Sequence, residues 1–139
     1  AALNFRIATW LYSHHIKLLP EMIKFRTMKR YCCEISPYAT IGPGLFIPHS
    51  LGIVIGHEVV AGKNLEIFQN VTIGSNRKER NGRTMPIIGD NVSIGSGAVV
   101  VGAIKIGNNV KIGANSYVDK DIPNNVVVAG CPAKIIKRL

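Results

Sequence analysis

Aliphatic side chains recur along most of this chain at intervals of six. The count runs Ile35, Ile41, Ile47, Ile53, Val59, Leu65 and Val71, and after one polar interruption it resumes as Ile88, Ile94, Val100, Ile106, Ile112 and Val118. All thirteen positions are aliphatic. A period of six is neither the 3.6 of an amphipathic helix nor the 2 of a half-buried strand. It fits a parallel β-helix in which each flat side takes one hexapeptide and turns its aliphatic residue into a narrow core. With three sides to a turn, the repeats make about four to five coils. Gly42, Gly89, Gly95, Gly107 and Gly113 each follow a ladder residue, where a missing Cβ lets the backbone bend or approach its neighbour.

The first thirty residues follow a different rule. Leu3, Ile7, Trp10, Leu11, His15 and Leu18 fall at spacings of three and four, which predicts a helix with one apolar face. Pro20 is expected to end it. A second short helix is expected from Glu21, with Lys24, Arg26, Lys29 and Arg30 on its exposed side. The expected organisation is an N-terminal helical cap over 1–31 packed on a β-helix domain over 32–139. The alternative for the cap is an amphipathic segment that touches a membrane peripherally, at the inner face. The interruption at 75–87, SNRKERNGRTMPI, reads as a polar loop thrown out of the coil. Long loops on rigid scaffolds commonly form binding walls; the alternative is a loop that wraps a neighbouring subunit.

A chain of 139 residues, 47% hydrophobic and 18% charged, fits one globular domain with a small appendage. Scarce aromatics, 6%, and 14 glycines favour β architecture with an aliphatic interior. The net charge of +9 admits nucleic acid, an anionic membrane surface or a phosphorylated small molecule. The basic loop from Arg77 to Arg83 lacks the stacking aromatics of nucleic-acid readers, so nucleic acid is not expected as a partner. Cys32, Cys33 and Cys131 have no metal-ligand spacing and read as reduced thiols of a cytoplasmic protein without a metal. No apolar run approaches the roughly 20 residues that span a bilayer.

The ladder, together with HSLGIVIG, NVTIG, IGDNVSIGSGAVVVGAIKIGNNVKIGANSYV and the closing VAGCPAKII, resembles the hexapeptide-repeat acyltransferases. From Cys33 onward the chain is most similar to their serine acetyltransferase branch and its relatives in surface-polysaccharide gene clusters. The resemblance implies an all-β, left-handed parallel β-helix and a homotrimer. It also implies acetyl-CoA lying in a groove between coils of neighbouring subunits, which would then share the active sites.

Moving an acetyl group from a thioester to a hydroxyl requires a base for the hydroxyl proton and an acceptor held against the carbonyl. An imidazole, with an unperturbed pKa of about 6.5, is largely neutral at working pH and suits the first task. His49 occupies the position of the catalytic His in the resembled pattern, whereas His14, His15 and His57 read as structural. A carboxylate on the other ring nitrogen would fix the tautomer, and the resemblance gives that role to Glu34, where the branch carries Asp. Three hexapeptides from Glu34 reach Gly52, a corner near His49 but not His49 itself. By the same resemblance, backbone groups at Ser75, Ser96 and Ala114 line the pantetheine path, and Lys134 and Lys111 meet the phosphates of acetyl-CoA.

The branch also carries an Asp just before its catalytic His and an R-H-P stretch at the end of the loop. Here those places hold Pro48 and Thr84, Met85 and Pro86, with Arg83 one residue away. Arg83 and Thr84 are therefore the acceptor-binding candidates. These departures lead to the expectation of a saccharide hydroxyl of surface-polysaccharide biosynthesis as acceptor. L-serine is the alternative acceptor, an amino-sugar nitrogen a further one, and a catalytically silent trimeric scaffold the alternative of another class.

Overall fold

The computed structural model describes residues 1–16 and 18–139. Two helices, α1 (Ala2–Ser13) and α2 (Leu18–Tyr31), precede a stack of coils. The first coil carries β1 (Glu34–Ile35) and β2 (Thr40–Ile41). The second carries β3 (Val54–Ile55), β4 (Val60–Ala61) and β5 (Glu66–Ile67), and the third β6 (Thr72–Gly74), β7 (Ile87–Ile88) and β8 (Ser93–Ile94). The fourth carries β9 (Val99–Val101), β10 (Lys105–Ile106) and β11 (Val110–Ile112), and the last β12 (Tyr117–Val118) and β13 (Val126–Ala129). A final strand, β14 (Lys134–Arg138), folds back antiparallel on β13. Like-placed strands pair in parallel into three sheets, β1-β3-β6-β9-β12, β2-β4-β7-β10 and β5-β8-β11-β13-β14. The result is the expected left-handed parallel β-helix, a three-sided prism.

Each side buries two residues, not one. Ile53 and Ile55, Leu65 and Ile67, Val71 and Ile73 are all at most 1% exposed, with the residue between each pair turned outward. That doublet corrects the single count of six. Glu34 pairs with Val54, twenty residues on, whereas Val54 pairs with Thr72, eighteen on. The bridge from Phe46 to Glu66 also spans twenty, so the two extra residues sit in the corner between Phe46 and Val54. Ile35 and Ile41 therefore stand beneath Ile55 and Ala61, and the bridge at Phe46 sets Ile47 beneath Ile67. Ile53 belongs to the other row, above Cys33. The unbroken beat from Ile47 to Ile53 steps from one buried row to its neighbour and conceals an insertion. The same insertion moves the level of Glu34 from Gly52 to Val54.

The second and third coils are likewise unequal: Val60 pairs with Ile87, twenty-seven residues on, which is eighteen plus a loop of nine. Corners are built from left-handed residues. One edge carries Cys32, Gly52, Asn70, Gly97 and Asn115, and another Gly44, Asn64, Asn91, Asn109 and Asn125, all at positive φ. On the second edge the asparagine side chains bond in file, Asn64 to Asn91 at 2.9 Å, Asn91 to Asn109 at 3.1 Å and Asn109 to Asn125 at 2.8 Å. Cys32 and Cys33 thereby find structural places. Cys32 opens the left-handed corner series at φ 47. Cys33, fully buried, heads a core row, and burial pushes its thiol up to about 11.

The helices depart from expectation in two ways. The break falls at His14–Ile16, and α2 begins at Leu18, so Pro20 lies inside its first turn, where a missing N–H costs nothing. The face buried on the prism is Phe5 and Ala8, while Leu3 at 72% and Trp10 at 58% face solvent. Polar anchoring decides that rotation: the Arg6 guanidinium donates to the carbonyls of Ile41 and Gly42, and Asn4 donates to Thr27 on α2 at 3.0 Å. Phe5 then covers the lowest coil beside Cys33 and Ile35. No helix among the described residues is long and apolar enough to cross a membrane.

Candidate functional site

His49 lies on the overlong corner, exposed, between the third sheet and the first. The insertion explains why an imidazole can sit there: the two extra residues let the stretch from Pro48 to Ser50 stand off the stack before the chain rejoins it at Leu51 and Gly52. Backbone bonds return the chain to the stack at the C-terminal end of the bulge, Gly52 N–H donating to Cys32 O at 2.7 Å and Asn70 N–H to Leu51 O at 2.8 Å. Directly up the same edge come the corners of Ser96 and Ala114, tied by Gly97 N–H to Gln69 O at 2.9 Å and Asn115 N–H to Ser96 O at 2.8 Å. Above the intervening corner at Gln69 and Asn70, Ser96 and Ala114 are small, so the upper part of the edge carries little side-chain bulk. Backbone crowding enforces that smallness at Gly95, where a Cβ would stand 2.7 Å from the Ala114 nitrogen.

Four of the residues singled out in the sequence thus share one edge. Lys134 tops it, since the turn before β14 bonds across to Tyr117 through Gly130 O and Ala133 N–H. Lys111 is exposed on the face of the third sheet, pointing outward between Val110 and Ile112. Glu34 lies on β1, in the coil below His49, and its N–H donates to Ile53 O at 2.8 Å. Among the described residues no hydrogen bond or ion pair joins Glu34 to His49.

Ser75, Arg83 and Thr84 lie elsewhere, on the edge where the first sheet passes to the second. There the chain leaves β6 at Gly74 and returns at β7. Ser75 Oγ accepts from Arg77 N–H at 2.8 Å and Asn76 Oδ1 from Lys78 N–H at 3.0 Å, turning the loop outward. Its tip is a small hairpin: Arg80 and Arg83 pair antiparallel around Asn81 and Gly82, both left-handed at φ 54 and 72. The dipeptide Asn-Gly was the signal for that hairpin. Met85 and Pro86 then dive into the interior.

Two arginines staple the tip to the prism. Arg80 Nη1 donates to both carboxylate oxygens of Asp121, at 3.0 and 2.8 Å, and Asp121 Oδ1 also accepts from the Lys105 N–H at 2.9 Å. Arg83 Nη2 donates to Glu58 O at 2.7 Å. Neither Asp121 nor Glu58 stood out in the sequence, because neither falls in a motif and only the winding brings them to the loop. The Lys105 N–H and then the Arg80 guanidinium hold the Asp121 carboxyl below the usual carboxylate range. Below the loop an open cleft of about 520 Å³ is lined by Tyr12, Tyr38, Thr40, His57, Glu58 and Arg83. His57 Nε2 stands 3.8 Å from Glu58 Oε1 there, both well exposed.

A family model, "Bacterial transferase hexapeptide (six repeats)", matches residues 85–120. Over 105 residues the chain is 50% identical to a serine acetyltransferase of Staphylococcus aureus, covering 76% of this chain and 49% of that one. A serine acetyltransferase of Brucella abortus, solved in complex with coenzyme A, superimposes with a TM-score of 0.92 at 38% identity, over 99% of this chain and 54% of that one. A Neisseria gonorrhoeae serine acetyltransferase, solved in complex with serine, gives a TM-score of 0.87 at 38% identity, over 94% and 53%. The chain spans about half the length of the curated relatives it matches. These likenesses overturn the expectation of a saccharide acceptor. Pro48, Thr84 and Met85 remove particular polar contacts, but a missing contact does not specify what replaces it, and the relatives at this identity are serine acetyltransferases.

Proposed function

Because this chain belongs to the hexapeptide-repeat transferases, in their serine acetyltransferase branch, we propose that it transfers the acetyl group of acetyl-CoA to the hydroxyl of L-serine. The observation that carries this reading is a likeness to serine acetyltransferases over nearly the whole chain, helices included. His49 removes the proton from the serine hydroxyl as its oxygen attacks the thioester carbonyl. The tetrahedral intermediate collapses with cleavage of the C–S bond, and the imidazolium returns the proton to the departing thiolate, leaving O-acetylserine and CoA. No acyl-enzyme is required. Glu34 orients the imidazole once the substrates close the corner, since catalytic hydrogen bonds are often long before substrate binds.

The edge above His49 fits a long thin thioester. Small residues at Ser96 and Ala114 offer backbone amides without bulk, Ser75, on the loop edge, joins the path from a neighbouring copy, and Lys134 with Lys111 supplies charge for the phosphates. Arg83 pairs with the serine carboxylate, and Thr84 lies beside it. His49 and Arg83 occupy different edges of one prism, so one chain does not bring them together. A homotrimer in which the loop of one copy faces the His49 edge of the next completes the site, and its mass is readable by sedimentation.

Thiol release from acetyl-CoA should rise with L-serine and yield O-acetylserine by mass spectrometry. No serine-dependent release would overturn the reading. Pro48 is the place to strengthen it: Pro48→Asp restores a carboxylate beside the base, within reach of the serine ammonium. A hydrogen bond to a charged group contributes about 1.5–3 kcal/mol, so KM for serine is expected to fall by about tenfold to a hundredfold with kcat little changed. An unchanged KM would place the ammonium elsewhere.

A further inference from the structure

The loop from Ser75 to Thr84 has little apolar burial of its own before the chain enters the interior at Met85 and Pro86. Residues 77–82 are exposed, and the stem arches over a hollow of about 470 Å³ bordered by Asn76, Lys78, Arg80, Asp119, Lys120 and Asp121. Yet its tip is fixed in two directions. Arg83 reaches down to the Glu58 carbonyl in the second coil, and Arg80 reaches up to Asp121 beyond β12 in the last. We propose that Asp121 is a positioning residue, the clasp that acts through Arg80 to hold the loop tip and so sets where Arg83 presents its guanidinium.

Geometry distinguishes this contact from an ordinary surface ion pair. One carboxylate accepts three bonds from two separate parts of the chain, the loop and the start of β10. Both side chains are about half exposed, but the carboxylate is held by the Lys105 backbone as well as by the guanidinium, which fixes its place more closely than in a lone surface pair. The Arg80–Arg83 hairpin links the two staples rigidly: Arg80 N–H donates to Arg83 O at 2.9 Å, and Arg83 N–H to Arg80 O at 3.2 Å. Moving Arg80 therefore moves Arg83. In a segment with so few buried contacts, local opening is governed by such bonds and not by the core.

The test compares the full chain with its Asp121→Asn and Asp121→Glu variants. Asn keeps an acceptor for the Lys105 N–H but removes the charge that holds Arg80, whereas Glu keeps the charge. Trypsin can cut after Arg77, Lys78, Arg80 and Arg83, and its initial rate follows the open population of the loop. For Asp121→Asn that rate is expected to rise by about fivefold to tenfold, the size of a strong surface contact, with the melting temperature unmoved and Glu restoring slow cleavage. KM for serine should rise by a similar factor while kcat holds.

The kinetic half rests on the serine reading, and the proteolytic half does not. An unchanged cleavage rate, or a Glu variant cut as fast as the Asn variant, would overturn the clasp. Faster cleavage with an unchanged serine KM would overturn its positioning role. If the unsubstituted protein fails to acetylate serine, the functional reading falls while proteolysis still decides the clasp.

Discussion

His49→Asn is expected to lower kcat by about a hundredfold to ten-thousandfold, the usual contribution of a positioned general base. Asn preserves a polar side chain of similar reach but accepts no proton from the attacking hydroxyl, so the loss falls on the chemical step and not on binding. The fold gives no reason for a structural side effect. His49 is exposed, makes no hydrogen bond among the described residues, and sits on a bulge whose C-terminal end is tied by backbone groups of other residues. Circular dichroism and melting temperature should therefore match the unsubstituted chain, with KM for serine and for acetyl-CoA within about threefold. His57→Asn is the control on the other edge, expected to change kcat little. Near-full activity of the His49 variant would mean that the base lies elsewhere.

Leu65→Ala should cost about 2–5 kcal/mol of stability, since a fully buried aliphatic loses both its transfer energy and the contacts around the space it leaves. Leu65 is 0% exposed and packs in the second coil, with coils above and below it. The walls of a narrow prism are hydrogen-bonded strands, so they cannot collapse inward to fill the gap, which favours the upper part of that range. Against a total stability of about 5–15 kcal/mol for a natural domain, the melting temperature should fall by roughly 10 °C. Leu51→Ala supplies the contrast. Leu51 is 60% exposed on the His49 bulge, and surface substitutions of that kind stay within about 0.5 kcal/mol. Equal losses at the two positions, measured by urea titration, would contradict the placement of the bulge outside the core.

Those two leucines also mark what the sequence could and could not convey. A beat of six is visible because each side of the winding repeats its buried positions every six residues, and every ladder residue from Ile35 to Val118 other than the half-buried Ile47 is buried. The second row was there to be read in the doublets Ile53 and Ile55, Leu65 and Ile67, Val71 and Ile73. Counting one row alone hid the two-residue insertion, because the next row happened to supply an aliphatic at the expected place. The helix was harder for a different reason. Leu3, Ile7 and Trp10 form a regular apolar stripe, but the hydrogen bonds of Arg6 to two carbonyls decide which side faces the prism, and no periodicity records them. Similarly, Asp121 is separated from Arg80 by 41 residues, so the contact exists only once the coils have wound. The acceptor was misread from Pro48, Thr84 and Met85 because substitutions announce lost contacts and stay silent about their replacements.

The twenty-seven-residue coil is an ordinary eighteen-residue coil with nine residues grafted in, and no strand changes its partner to accommodate them. Pitch and graft are therefore independent variables. The spacing of the prism is locked by its corners and its asparagine file, while the graft can change length, charge or tip without disturbing a single rung. Chains of this kind can drift in what they grip while keeping how they are built, so relatedness read from the rungs alone is blind to the graft.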